Sequence, residues 1–521
     1  MKLQRLLWLA ASVISALQLT AQPAGAYLNP VIPGFNPDPS ICRVGNDYYV
    51  VNSTFHYFPG VPIYHSTDLV NWEQIGNVLT RDSQLPLNQA SSWLGIYATT
   101  IRYHEGTFYM ITTNVGNGGN FMVTATDPRG PWSEPIWLKQ QGIDPSLYWE
   151  DGHCYMVSNP GDKIWLCEID DKTGEQLTKS VALWCGDGGR YPEAPHIYKK
   201  DGYYYLLISE GGTELAHSLT IARSKNIEGP YISNPANPIM TNCSQKGQVL
   251  QVQGTGHGDF VQAPDGSWWV AFLAYRNFGG SYHHLGRETY LAPVQWPEGG
   301  WPVVNGGEPI DTLMQANLGG TPVRRLRTVT HEDLMAWPER PMWMHIQSPI
   351  EANYERADGR LRLHAGQPVA KTDHPTFIGM MRQTSERMTV QVDVDAAHIN
   401  EGDEAGIIAY QIDDGWQSLS CTRQNGELIV KLDCRLKTMS DIKTYELDQS
   451  KAKLRITSDG LIYRYECSTD GGKTWHELGS QSCTLLSTEM AGGFTGVVLA
   501  LYAQGSKESY ADFTDFGYQE Y

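Results

Sequence analysis

The amino-acid sequence predicts an all-β protein, a five-bladed β-propeller followed by a C-terminal β-sandwich. Three observations lead there. One hairpin design recurs five times in the first three hundred residues, no amphipathic helical stretch interrupts it, and in the last third plain strand alternation replaces it. Composition agrees, since 28 Tyr, 16 Trp and 52 Gly suit many short strands joined by tight turns. The 521 residues, 41% hydrophobic and 18% charged, exclude a disordered chain and amount to two domains' worth of sequence. With 39 Lys+Arg against 57 Asp+Glu the net charge is −18, the wrong sign for a nucleic-acid partner. Flat aromatic faces suit a neutral polar ligand, and carbohydrate is the expected class.

The first 26 residues read as an export signal. Lys2 and Arg5 precede an apolar run over residues 6–19, and Ala24-Gly25-Ala26 has the small-x-small form of a cleavage site, with a cut after Ala21 as the alternative. The run is shorter than the roughly 20 residues a membrane span needs, and no second run follows. The expectation is an exported protein, periplasmic or secreted, without a membrane span. Nine cysteines at irregular spacing include no CxxC pair, so zinc and dithiol chemistry have no support. Cys42 and Cys154 fall in strand-like runs as small apolar residues, and the pairing of the remainder stays open.

The propeller is expected over residues 27–312. Its five segments are 38–50, 100–110, 144–156, 193–206 and 257–270, each a strand, a turn (Asn-Asp, Glu-Gly or Asp-Gly) and an aromatic second strand. Their spacing is about that of four-stranded blades. Asp38, Asp144, Glu193 and His257 stand at nearly equivalent places in four of these units, so three carboxylates and an imidazole are expected at one end of a central axis. An Asp before Pro is by itself an ordinary turn residue; gathering like charges costs energy and points to chemistry or metal binding.

Residues 313–345 read as a connecting segment, with a basic patch (Arg324, Arg325, Arg327) and the Pro-rich stretch 337–341. Residues 346–521 form the sandwich, with strands expected near 388–394, 405–410, 428–432 and 461–466. Residues 468–475 imitate both a sialidase Asp-box and the end of a phosphate loop, but the motif occurs once and Cys467 replaces the first glycine, so a tight turn is expected.

Asn36-Pro-Asp-Pro-Ser40, Gly142-Ile-Asp-Pro-Ser146, Tyr191-Pro-Glu-Ala-Pro-His196, Gly256-His257 and Leu285-Gly-Arg-Glu288 resemble the family 43 glycoside hydrolases, as do the stretches 53–66, 492–496 and 511–516. The closest look is to exo-acting β-xylosidases and α-L-arabinofuranosidases with a C-terminal sandwich of concanavalin/laminin-G-like type. The resemblance implies an inverting hydrolysis of terminal pentosides in plant-polysaccharide fragments. It makes Asp38 the general base, Glu193 the general acid and Asp144 the group that raises the pKa of Glu193 and holds it in place. It makes Arg287 a sugar ligand or an orienter of Asp144, and Phe55, Tyr97, Thr213 and Phe494 substrate-binding residues. An inverting pair is expected about 6.5–9.5 Å apart, to leave room for water. No cofactor is required; His257 is a candidate metal ligand near which a structural divalent cation, calcium, is placed, with a satisfied structural His as the other reading. An endo-acting arabinanase and a non-catalytic carbohydrate-binding propeller are the rival readings. Two departures stand out: Tyr97-Ala-Thr-Thr replaces the Trp-Ala-Pro-Thr of relatives, which leaves xylose against arabinofuranose open, and Glu193-Ala replaces Glu-Gly.

Overall fold

The computed structural model describes residues 25–316, 318 and 326–521. Most of the expected export signal, and Arg324 and Arg325 of the basic patch, lie outside the described residues. Gly25 and Ala26 are described: Ala26 pairs with Gln315, and the Gly25 carbonyl accepts from the Ala316 N–H at 2.7 Å.

Up to residue 304 the chain forms five four-stranded antiparallel sheets, each a meander. Their first strands are Ser40–Val44, Gly95–His104, Ile143–Glu150, Glu193–Lys200 and Val252–Gln262. Each first strand packs on that of the next sheet, and the fifth returns to the first. Both faces of most strands are therefore covered, which is why they are apolar nearly throughout. In Thr107–Val115, Phe108 and Met110 meet Cys42, Val51 and Ile63 of the first sheet, while Tyr109 and Ile111 meet Leu147, Cys154 and Met156 of the third.

The hairpins follow the turn chemistry. Glu105-Gly106, Asp151-Gly152 and Asp201-Gly202 all have positive φ at both positions, as a two-residue turn matched to strand twist requires. The first hairpin differs from expectation by one residue. Val44 pairs with Asp47, so the turn is Gly45-Asn46 and not Asn46-Asp47, because Gly45 takes the left-handed φ of 63° more readily than Asn. The ring is latched near its seam. Strand Ala26–Leu28 pairs with Leu313–Gln315, Tyr27 donates to the Leu291 carbonyl at 2.7 Å, and Asn29 exchanges two hydrogen bonds with the Leu291 backbone.

The last third contains an eight-stranded and a six-stranded antiparallel sheet. Strands Arg387–His398, Glu404–Ile412, Glu427–Leu436 and Ile462–Ser468 overlap the expected ones. One face of the six-stranded sheet joins the sandwich core through Ile407, Leu419, Leu432 and Leu501. Part of the other face lies on the five-sheet region: Phe377, Ile408, Tyr410, Val498 and Tyr502 cluster with Phe35, Phe55 and Tyr57. A two-stranded pairing of Tyr57–Phe58 with His345–Ile346 crosses the same boundary. Each buried aromatic there contributes about 1.5–3 kcal/mol, so the two regions stabilise one another. All nine cysteines are unpaired, seven of them buried. Residues 468–475 are a tight turn in which Asp470 accepts the N–H groups of Lys473 and Thr474. Among the described residues no helix is long and apolar enough to cross a membrane.

Candidate active site

Every first strand except that of the first sheet carries a register irregularity near its start: at 96–99, 143–146, 193–196 and 253–258. Such a bulge re-aims the local side chain. Left-handed backbone occurs at three of these places and at the entry to the first sheet: Asp144 has φ 54°, Ala194 53°, His257 47° and Asp38 52°. The combination directs side chains from well-separated parts of the sequence into one cavity of about 320 Å³. Asp38, Asp144, Glu193, Arg287, Phe55, Tyr97, Thr213, Phe494 and His257 all line it. The second segment, read as opening at Thr100, instead supplies Tyr97, which precedes its hairpin turn by the same interval as Glu193 precedes its own. An aromatic thus replaces the carboxyl in that sheet.

Asp38, 5% exposed, sits beside one cation, Arg287. Arg287 donates to its Oδ1 at 2.8 Å, Ser53 donates to Oδ2, and the His257 Nδ1 lies 3.8 Å from Oδ1. Burial alone raises a carboxyl; here Arg287, His257 and the Ser53 hydroxyl outweigh it and hold Asp38 below the ordinary range. Arg287 therefore orients Asp38 and not Asp144. It also donates to the Thr213 hydroxyl at 3.2 Å and, across the boundary between the two regions, to the Phe494 carbonyl at 3.3 and 3.2 Å.

Glu193 and Asp144 move the other way. Burial first, then the Asp38 charge, pushes Glu193 up from 4.5 to about 7, against the opposing pull of Arg287. Asp144 rises well above its usual value through burial, Glu193 and Asp38, while the Ala194 N–H, donating to its Oδ2 at 3.1 Å, and Arg287 pull it down. Asp144 and Glu193 repel one another, and Asp38, kept ionised by Arg287, adds its charge to both. Asp144 also holds the backbone immediately after Glu193 through the Ala194 N–H.

The apolar wall is aromatic. Phe55 and Phe494 stack at 5.9 Å with 19° between ring planes, Tyr97 lies 5.3 Å from Phe55, and its hydroxyl donates to the Trp93 carbonyl at 2.7 Å. Gly95 is required beneath Phe55, since a Cβ there would come within 2.2 Å of the Phe55 carbonyl oxygen. The sequence reading missed Ser53, His217 and Tyr191. His217 lines the cavity with Nδ1 on the Gly254 carbonyl at 3.1 Å, and burial lowers it to about 3, so it is neutral. Its ring lies across Gly256, where a Cβ would approach to 2.4 Å. A Gly-His pair in the fifth repeat was the available signal, but His217 itself stands in no repeat motif.

A cation at His257 would find one imidazole and the Asp38 carboxylate. Among the described residues no three His, Cys, Asp or Glu side chains gather as a metal site. Two such donors do not form a protein cage for calcium, which takes six to eight oxygen ligands.

A family profile described as glycosyl hydrolases family 43 matches residues 27–302, and one described as the beta xylosidase C-terminal concanavalin A-like domain matches residues 339–519. The chain is 38% identical to the non-reducing end alpha-L-arabinofuranosidase of Bacteroides ovatus, over 95% of this chain and 94% of that one. It is also 38% identical to the xylosidase/arabinosidase of Butyrivibrio fibrisolvens, over 94% and 98% of the two chains. Among solved structures, Bacteroides ovatus xyloglucan PUL GH43B superposes with a TM-score of 0.89 at 37% identity, covering 95% of this chain and 100% of the other.

Proposed function

The chain belongs to glycosyl hydrolases family 43, and on that premise we propose that it is an exo-acting, inverting glycosidase. It releases terminal pentoses, β-D-xylose or α-L-arabinofuranose, from plant-polysaccharide fragments. One observation carries this reading. A single cavity holds carboxyls of opposite tendency, Asp38 kept ionised by Arg287 and Glu193 raised to about 7 and so largely protonated at mildly acidic pH. Glycosidic hydrolysis by inversion needs that pair.

In the reaction Asp38 takes a proton from water as the water oxygen bonds to the anomeric carbon. The bond from that carbon to the leaving oxygen breaks, its electron pair stays on the oxygen, and Glu193 supplies the proton. Asp144 positions Glu193 through the Ala194 N–H. Arg287 aims Asp38 and, by gripping the Phe494 carbonyl, couples the site to the sandwich. Phe55, Tyr97 and Phe494 offer apolar faces to one sugar ring, and Thr213 lies within reach of its hydroxyls. A cavity of about 320 Å³ walled on one side by Phe494 suits a chain end better than the middle of a polymer, which supports exo over endo action. The five cyclically packed sheets are read as the blades of a propeller over residues 27–312, and the N-terminal segment as the leader of an exported enzyme, cut after Ala21 so that Gly25 and Ala26 keep their pairing with residues 315 and 316.

The test is a panel of aryl β-xylosides, aryl α-L-arabinofuranosides and the matching oligosaccharides, with products identified and their anomeric form followed by NMR. Release of single pentoses of inverted configuration is expected. Internal cleavage would replace the reading with an endo-arabinanase, and no hydrolysis of any member would leave a binding propeller.

A further inference from the structure

Four phenylalanine and tyrosine side chains line the cavity, and three of them are largely covered. Phe55 is 2% exposed, and Tyr97 and Phe494 are partly buried against their neighbours. Tyr191 is 55% exposed, yet it lines the same cavity two residues before Glu193. Its backbone is left-handed, φ 55°, a conformation uncommon for a bulky side chain and retained only where the surroundings hold it.

A clamp does so here. The Arg190 guanidinium lies 5.3 Å from the centre of the Tyr191 ring and is ion-paired with Glu214, which also lines the cavity. Arg190 Nε donates to the Gly211 carbonyl at 3.1 Å, and the Gly211 N–H returns a bond to the Arg190 carbonyl at 2.8 Å. Gly212 lies beneath the ring: a Cβ there would come within 3.1 Å of Tyr191 Cδ2. The result is an exposed aromatic plate held from behind by a cation and from below by a glycine.

Glu193 delivers its proton to the leaving oxygen, so the sugar carrying that oxygen has to lie on the Glu193 side of the cavity. We propose that Tyr191, backed by Arg190 and Glu214, is the platform for the leaving-group sugar, the residue next to the released pentose in a neutral oligosaccharide. The Tyr191 face supplies the stacking surface, and Arg190 and Glu214 at the rim supply a donor and an acceptor for its hydroxyls. Tyr191 thus sets preference among acceptor sugars, while Phe55, Tyr97 and Phe494 hold the released one. This inference rests on the assignment of Glu193 as the acid.

The experiment compares two substrates of the full-length enzyme: xylobiose or arabinobiose, whichever it hydrolyses, and the fluoride of the same pentose, whose leaving group is one atom. The readout is the ratio of kcat/KM for disaccharide over fluoride. In Tyr191→Ala this ratio is expected to fall about tenfold, chiefly through KM for the disaccharide, and Tyr191→Phe should restore most of it. Glu214→Gln, which loosens Arg190, should lower it less and in the same direction. An unchanged ratio in Tyr191→Ala, or equal losses on both substrates, would overturn the platform. Failure of the unmodified enzyme on both substrates would instead remove the glycosidase reading beneath it.

Discussion

Two buried carboxylate sites share the first strands of the five sheets, and they are built to opposite ends. At one, Asp259 is completely covered and receives two bonds from Arg102 at 2.7 and 3.0 Å, one each from the Ser40 and Tyr198 hydroxyls at 2.6 Å, and one from the Ile41 N–H at 3.0 Å. Those donors come from the first, second and fourth sheets, so one anion ties four sheets together, its own included. Burial would raise Asp259, but Arg102 and the hydrogen bonds win and hold it far below its usual value. At the other site Asp38, Asp144 and Glu193 share essentially one cation, Arg287, whose hydrogen bond goes to Asp38. Satisfied charge locks the ring, and unsatisfied charge is left available for proton transfer.

Paired substitutions separate the two sites. Asp38→Asn is expected to reduce kcat about a thousandfold or more on every substrate, with a modest change in Tm, since Arg287 keeps its contacts to Thr213 and Phe494. Asp259→Ala should do the reverse. It leaves the half-buried Arg102 with only the Ser40 hydroxyl, the Ile101 carbonyl and His196 as partners and costs about 3–5 kcal/mol, read as a fall in Tm, while activity of whatever remains folded is retained. Similar Tm losses in the two variants, or a dead but fully stable Asp259→Ala, would erase the distinction.

Glu193→Ala sharpens the division within the active cavity. On disaccharides kcat should drop about 10²–10⁴-fold, whereas dinitrophenyl glycosides, which depart unprotonated, should lose far less. Steady-state rates on both substrate types check this, and equal losses would remove Glu193 as the acid.

The two sites also have opposite pH signatures. The folded-state pKa of Glu193 is raised, so the stability it contributes is present at low pH and lost as pH rises from 4.5 through about 7. Asp259 is depressed, so its contribution is present above its ordinary value of 3.8 and lost as pH falls below it. Glu193→Gln should therefore stabilise the protein by on the order of 1–3 kcal/mol above pH 7 and by little below pH 5. Denaturant unfolding at pH 5 and pH 8 measures it, and a gain at pH 5 equal to that at pH 8 would contradict the raised pKa. In activity, the alkaline limb should lie near pH 7 and the acid limb below the usual carboxylate range.

The smallest expected effect lies at Ala194, where φ is 53°. Left-handed backbone costs a residue with a Cβ about 1–2 kcal/mol, and glycine's greater unfolded-state entropy offsets about 0.4–1 of that. Ala194→Gly is expected to gain about 0.5–1 kcal/mol, seen as a small rise in Tm with the Asp144 contact intact. A loss of stability would show that packing of the Ala194 methyl outweighs the backbone term.

The hairpin repeat was legible because its signals are local. Asp-Gly and Glu-Gly turns and period-two alternation act within a few residues of themselves, and the five sheets follow them, except that the first turn shifts to Gly45-Asn46 and the longer loop 263–267 closes the fifth hairpin. The three carboxyls were legible because the repeat places them at corresponding points. Ser53 and His217 were not, since neither stands at a repeat position, and each matters only through what the folded chain sets beside it, Asp38 for Ser53 and the cavity for His217. Tyr191 stands in one of the family-like motifs, yet only its exposure and the clamp around it give it a role.

By itself the sequence determined the strands, the turns, the order of the two regions, the family and the convergence of Asp38, Asp144, Glu193 and Arg287. Tertiary structure decided how charge is divided among them. It gave Arg287 to Asp38, placed the Asp38 charge where it raises both Glu193 and Asp144, and brought Phe494 from the second region into the wall of the cavity. The reason is physical: a proton's affinity for a carboxyl depends on burial and on charges a few ångströms away, and in a ring of sheets those neighbours come from segments a hundred residues or more apart.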